Sequence, residues 1–330
     1  MSGGAIEYSF VIPILNERET LAELYERLEP VMAALDGPSE VVLVDDGSSD
    51  ASYELMCDLH ARDRRIRALR LSRNFGHQTA LSAGLDHARG RAVVIMDGDL
   101  QDPPEVVLEM ARRWREGYDV VYAVRDERAG ESWTKLTTAT WFYRIFGRLT
   151  EIDMPPNAGD FRLVDRRAVD AVTSMPERRR YLRGMFAWVG YNQTGVHYSR
   201  APRHAGRTKF PLRKMISFAA DGIVSFSTAP LRLTLGIGFV VSILSLLAGV
   251  AAIVLKLAGV EVVPGWASIA VGMAFLSGIQ LTVLGLIGSY IARIHDEVKQ
   301  RPLYLVADCV GLDSADRSFD WRDDRLRRVR

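Results

Sequence analysis

Several things are scarce in this chain of 330 residues. It has two cysteines, Cys57 and Cys309, with no Cys-x-x-Cys pair and no Cys/His ligand spacing. That excludes a secreted disulfide framework and a structural zinc site. The N-terminus lacks a basic stretch followed by an apolar run, so no signal peptide is expected and the chain folds in a reducing cytosol. Net charge is nearly absent: 42 Lys+Arg oppose 41 Asp+Glu, giving +1. This balance argues against a nucleic-acid partner. No Gly-x-Gly-x-x-Gly and no Walker lysine loop occurs, so a nucleotide would have to be held another way.

Charge is missing most completely from one region. The overall charged fraction is 25% and the hydrophobic fraction 48%, while the mean hydropathy is +0.00. A uniform soluble chain with that charge would average lower, so the zero points to unlike parts. Leu235–Leu255 holds 21 residues without a charge and Val262–Ala292 holds 31 more. About 20 apolar residues cross a bilayer core. The expectation is a two-helix transmembrane hairpin, with spans at 234–256 and 262–292, whose glycines permit close packing. Arg232 lies before it and Arg293, Lys299 and Arg301 after it. The positive-inside bias then places both termini in the cytoplasm and the protein, multi-pass, in the inner or plasma membrane. Pro176–Ile216 carries ten Lys/Arg against one acid. It leads into a basic, amphipathic juxtamembrane segment, 199–233, expected to lie in the membrane interface. The 293–330 tail, with nine basic and eight acidic residues, reads as a solvated arm.

The first 198 residues alternate between β-rich apolar runs and helical patterns. Strands are expected at Tyr8–Leu15, Glu40–Val44, Arg67–Leu71, Ala92–Met96 and Asp119–Val124. Helices are expected at Glu19–Leu35, Ala51–Ala61, His77–Ala88 and Glu105–Glu116. This order predicts an α/β fold around a parallel sheet. Ligands bind such sheets outside the carboxyl ends of the strands. Here those ends are acidic: Asn16-Glu17 after the first strand, Asp45-Asp46 after the second, Asp97-Gly-Asp99-Leu-Gln101-Asp102 after the fourth. If Asp97 and Asp99 lie at a strand end, their side chains face one way. Paired carboxylates repel unless a cation joins them, and oxygen ligands suit Mg²⁺ or Mn²⁺. Asn74 and His77 read equally well as caps of the following helix, and Asp102 as a turn residue.

Val44-Asp-Asp-Gly-Ser-Ser-Asp50, Asn74-Phe-Gly76 and Met96-Asp-Gly-Asp-Leu-Gln-Asp-Pro-Pro-Glu105 together resemble family 2 glycosyltransferases with the GT-A, Rossmann-like fold. Asn157–Leu163, Tyr181–Tyr191 and Arg203–Lys209 narrow the resemblance. With the two spans, they make the chain similar to polyprenyl-phosphate glycosyltransferases: bactoprenol glucosyltransferases closely, dolichol-phosphate mannose synthases more distantly. One departure is Asp-Gly-Asp where Asp-Ala-Asp is usual; it keeps both carboxylates.

The resemblance implies roles. Pro13, Leu15, Asn16, Glu17, Asp45, Asp46 and Asp97 would bind the nucleotide-sugar. Asp97, Asp99 and Gln101 would surround a divalent metal, Mg²⁺ or Mn²⁺. Asp160 matches the aspartate of the acceptor-side motif, and Arg207 and Lys209 a basic loop that closes on the diphosphate. Asp99, Asp160, Arg207 and Lys209 would thus carry the chemistry. Arg125, Arg128, Lys135 and Arg203 would hold the lipid phosphate. The implied reaction moves a hexose, glucose from UDP-glucose, to polyprenyl phosphate at the cytosolic membrane face with inversion. The implied partners are that donor, that acceptor and membrane lipids; the small-residue spans would also allow a homo-oligomer, whose state the sequence leaves open. Alternatives are a GDP-mannose-dependent mannose synthase and a non-catalytic scaffold that keeps the fold.

Overall fold

The computed structural model describes residues 5–125, 158–199, 229–258 and 265–312. They fall in two compact units: Met1–Tyr143, Ile152–Lys209 and Pro302–Arg330 in one, Arg144–Glu151 and Phe210–Arg301 in the other.

The first unit holds eight strands and six helices among the described residues. In chain order they are β1 (Tyr8–Ile14), α1 (Leu21–Ala34), β2 (Ser39–Asp45), α2 (Ser52–Arg62), β3 (Ile66–Leu71), α3 (His77–His87), β4 (Ala92–Ile95) and α4 (Val106–Arg115). There follow β5 (Val120–Arg125), β6 (Ala158–Asp165), α5 (Arg166–Thr173), α6 (Leu182–Trp188), β7 (Gln193–Tyr198) and, after the second unit, β8 (Val306–Val310). The sheet order is β7-β5-β6-β4-β1-β2-β3-β8. β1 and β2 are almost wholly buried and rich in Val and Ile, as central strands covered on both faces must be. Tyr8, Phe10, Ile12 and Ile14 pack with α1, α2 and α4 in one cluster. Val11 points the other way, into α3. A Cβ on Gly84 of α3 would sit 2.2 Å from Val11 Cγ1, so glycine lets this helix lie directly on the sheet.

The expected strands and helices of 8–124 all form, with ends shifted by a residue or two. The sheet is not wholly parallel, however. β6 enters between β4 and β5 and runs antiparallel to both. β8 pairs antiparallel with β3. The tail is therefore not a solvated arm through 302–312; it returns to the sheet edge. Ser72 N donates to Leu305 O at 2.8 Å and Tyr304 Oη to Asp86 Oδ2 at 3.0 Å.

The second unit holds two long helices, α7 (Ala229–Leu257) and α8 (Trp266–Val298). They lie where two spans are expected. Within α8, Phe275–Val298 is long and apolar enough to cross a membrane; α7 contributes the shorter apolar run Thr234–Ala248. Among the described residues one helix thus has the length and composition of a span, and the second span of the expected hairpin is not established by that measure. Most of the juxtamembrane segment lies outside the described residues.

Candidate active site

The carboxyl ends of β1, β2 and β4 open on one edge of the sheet. The first loops there are stitched together. Asn16 adopts a left-handed backbone, φ 56°, which suits asparagine. Its N–H donates to Ser48 Oγ at 2.9 Å, and its Oδ1 accepts from Ser49 N at 2.8 Å. Leu15 beside it is exposed and Pro13 half-buried. Asp45 is buried: Oδ1 accepts from Ser48 N, and Oδ2 faces Arg70 Nε at 3.3 Å. Asp46, also buried, accepts from Phe75 N at 2.7 Å and Gly76 N at 2.9 Å. Both carboxylates thus bond to protein groups and shape the loops under the cleft.

Asp97 and Asp99 do not share a face by strand alternation. β4 ends at Ile95, and both aspartates lie in the turn beyond it, where Leu100 has φ 58°. Asp97 Oδ1 accepts from His77 Nε2 at 2.8 Å; Asp99 Oδ1 accepts from Gln101 N at 3.1 Å. Gln101 is itself buried. No group of three His, Cys, Asp or Glu is arranged to hold a metal unaided among the described residues. The donors fit a cation that takes one or two carboxylates and fills its shell from substrate phosphates, as Mg²⁺ does. Glu17 senses the concentrated charge. Burial pushes its carboxyl up, Thr20 opposes this by a hydrogen bond, and Asp99, Asp50 and Asp97 push further upward. Carboxylates gathered this closely favour a cation among them, and His77 at Asp97 supplies part of that charge.

β6 brings the second half of the site. Being antiparallel to β4 with Ile95 opposite Arg162, it carries Asp160 toward Asp97. His77 and Gln78, the first residues of α3, span the gap. Gln78 Nε2 lies 3.4 Å from His77 Nδ1 and 3.4 Å from Asp160 Oδ2, and its Oε1 accepts from Leu182 N at 2.9 Å. Burial opposes the His77 imidazolium, but Asp97, Asp160 and Asp46 outweigh it and raise His77. Burial likewise opposes the Asp160 carboxylate, yet Arg183, Arg162 and His77 hold it below the usual range. Arg183 reaches Asp160 at 3.4 Å through both Nε and Nη2. Arg162 is buried: it donates to Gly159 O and Asp160 O, stacks over Phe186, and burial lowers its guanidinium to about 10.

Arg125 ends β5 against Gly159, where a Cβ would lie 3.0 Å from its Nη2. Its Nε donates to Tyr198 Oη at 3.2 Å, and Tyr198 donates to Asp102 Oδ1 at 2.5 Å. Of the expected site residues, the fold gathers Pro13, Leu15, Asn16, Glu17, Asp45, Asp46, Asp97, Asp99, Gln101, Asp160 and Arg125 at this edge. Arg128, Lys135, Arg203, Arg207 and Lys209 lie outside the described residues. Sequence reading did not assign Gln78, Arg162, Arg183 or Tyr198. The signal was present for Arg162 and Arg183, which sit inside the motif blocks around Asp160 and Tyr181.

A Rossmann-like α/β sheet whose carboxyl edge carries such a polar set defines the GT-A class of transferase domain. Residues 9–173 match "Glycosyl transferase family 2", and the chain belongs to that family. Relatives include an uncharacterized glycosyltransferase, sll0501, of Synechocystis, 50% identical over 93% of this chain and 97% of the relative. A prophage-derived bactoprenol glucosyl transferase of Shigella flexneri is 39% identical over 91% and 97%. Among solved structures, glucosyl-3-phosphoglycerate synthase from Mycobacterium tuberculosis, in complex with Mn²⁺, UDP and phosphoglyceric acid, overlaps at a TM-score of 0.48. It is 21% identical, over 66% of this chain and 76% of that one.

Proposed function

We propose that this glycosyltransferase moves glucose from UDP-glucose to a polyprenyl phosphate at the cytosolic face of the membrane. The observation that carries the reading is the division of the site. Carboxylates (Glu17, Asp97, Asp99) lie on one side; on the other, Arg162 and Arg183 surround Asp160 and Arg125 lies against Gly159. The first suits a cation on a diphosphate leaving group; the second suits an anionic acceptor. Relatives named bactoprenol glucosyl transferase, 39% identical over most of the chain, support both the glucosyl group and the lipid.

The acceptor is a phosphate monoester with a second pKa of about 6, so it is largely dianionic at neutral pH and needs no strong base. The work left to the protein is to neutralise charge and to bring two anions together. Asp97 and Asp99, with Gln101, would hold Mg²⁺ or Mn²⁺, which supplies charge neutralisation to the departing diphosphate. Arg125 holds the acceptor phosphate, joined by Arg128, Lys135 and Arg203. Arg207 and Lys209 close over the donor's diphosphate. Asp160 orients the cations around the acceptor rather than taking a proton. In-line attack then inverts the anomeric carbon. α7 makes a second span beside α8, leaving the catalytic domain and both termini in the cytoplasm.

The test is transfer from radiolabelled UDP- and GDP-sugars to undecaprenyl phosphate in membranes containing the full chain, with Asp99→Ala as control. Label entering lipid from UDP-glucose, and lost in the variant, is the expected result. Label from GDP-mannose instead would reassign the donor. No label from any donor, together with no nucleotide binding in Mg²⁺ or Mn²⁺, would make the protein a scaffold.

A further inference from the structure

Gln78 is an uncharged side chain that reaches both halves of the site. It is the second residue of α3, and its amide points away from that helix. Its Oε1 accepts from Leu182 N at 2.9 Å, 104 residues along the chain, and its Nε2 lies 3.4 Å from Asp160 Oδ2, 82 residues along. Nε2 also lies 3.4 Å from Nδ1 of its neighbour His77, whose own Nε2 meets Asp97 Oδ1 at 2.8 Å. One side chain thus touches α6, β6 and, through His77, the turn that carries Asp97.

Chemistry fixes which way this amide faces. A backbone N–H can only donate, so the end of Gln78 that meets Leu182 is its oxygen. Its two N–H groups are left for the other side, where Asp160 offers a carboxylate oxygen and His77 a ring nitrogen. The bond to Leu182 is of ordinary length and anchors the amide. The 3.4 Å contacts are longer than a closed hydrogen bond, which spans about 2.7–3.2 Å. α6 depends on that anchor. Helix starts leave N–H groups unsatisfied, and Tyr181 at the N-cap supplies no side-chain bond. Gln78 meets the need from another helix. The next residue, Arg183, lies 3.4 Å from Asp160, so the place at which Gln78 holds the first turn of α6 governs how Arg183 meets Asp160. On the other side, Asp46 ties down Phe75 N and Gly76 N immediately ahead of α3. Gln78 therefore stands at the joint between a fixed loop on the Asp97 side and the elements that carry Asp160 and Arg183.

We infer that Gln78 is a positioning residue for the transfer: its amide sets Asp160 and the first turn of α6 at the distance from Asp97 that the reaction needs. It acts through those groups and not on the reacting atoms. Its contribution is alignment, and misplacing a site by about 1 Å costs on the order of a hundredfold in rate. The inference rests on the reading above only in taking Asp160 to serve the transfer, whichever acceptor is used.

The experiment uses the full chain in nanodiscs, as wild type, Gln78→Glu and Gln78→Met. Glutamate keeps an oxygen for Leu182 N but replaces the N–H groups that face Asp160 and His77. Methionine, of similar length, removes both functions. Four quantities are read: turnover with undecaprenyl phosphate, the donor KM, UDP binding in Mn²⁺, and hydrogen exchange of the α6 backbone. Both variants are expected to lower kcat by about tenfold or more, with donor KM and UDP affinity within about twofold of wild type. Exchange in α6 should quicken in Gln78→Met and stay near wild type in Gln78→Glu. A Gln78→Glu enzyme that turns over like wild type overturns the inference, because the side chain then only caps α6. An unchanged kcat in both variants overturns it too. So do equal losses of kcat and UDP affinity, which a residue that merely supports the fold gives. If wild type leaves undecaprenyl phosphate unglycosylated, the acceptor reading falls, and the same split is read from donor hydrolysis, in which the sugar passes to water and the nucleoside diphosphate leaves. A split there keeps the inference; no split, or no hydrolysis, overturns it.

Discussion

Asp99 and Asp160 are each a carboxylate beside a turn or strand end, and their neighbours give them different work. Asp99 has only the Gln101 amide as a close partner in the described structure and lies in a field that already pushes Glu17 up. Asp99→Ala should lower transfer by about 10²-fold or more, the scale for losing one charge-stabilising group, with melting temperature little changed; rate and thermal denaturation measured together check this. Asp160 is locked among arginines. A carboxyl held below its usual value adds stability above the unfolded value of about 3.9 and loses it as pH falls through the folded value. Asp160→Asn, which leaves Arg162 and Arg183 without their counter-charge, should therefore melt below wild type at neutral pH, by about 3 kcal/mol. The gap should close as pH falls below about 4. Thermal scans from pH 7 to 3 in detergent read it directly, and a gap constant with pH would show that the charge is not what stabilises.

At the scale of elements, close approach of α3 to the sheet is decisive, because that helix carries His77 and Gln78 into the site. Gly84 allows the approach. Gly84→Ala puts a Cβ against Val11 Cγ1 and Val44 Cγ2 and should cost about 1–3 kcal/mol as overpacking. If α3 lifts to relieve it, activity falls by more than stability alone explains. Asp46→Ala leaves the N–H groups of Phe75 and Gly76 without their acceptor and should destabilise by about 1–3 kcal/mol, again measured by thermal denaturation. The five strands and four helices of 8–124 were legible in the sequence because each has a clean local period and polar, Gly-marked turns. β6 was not. Its sequence, AGDFRLVD, places Asp160 and Arg162 inside a strand, and those charges are tolerated only because arginines and backbone carbonyls meet them. β8 is short and largely exposed, and nothing in VADCV names its partner.

At the scale of the whole molecule, the tail matters more than its mixed charge suggests. β8 covers the outer edge of β3, and an uncovered edge strand is a template for aggregation. Deleting residues 302–330 should lower the melting temperature and promote self-association, seen by light scattering. Tyr304→Phe, which removes only the bond to Asp86, should cost about 1 kcal/mol. A truncation after Ala229 therefore does not isolate the catalytic unit, since it removes β8 along with the helices.

The sequence alone determined what local pattern can determine. Periods of 2 and 3.6 marked the strands and helices, acidic turns marked the strand ends, and the stretch nearly free of charge marked two long apolar helices. Only the tertiary structure decided adjacency. Whether β6 lies between β4 and β5, whether Asp160 faces Asp97, and whether Arg183 reaches Asp160 depend on backbone pairing and packing between segments distant in the chain. Those contacts are selected by what else can be buried beside them, and no window of neighbouring residues contains that information.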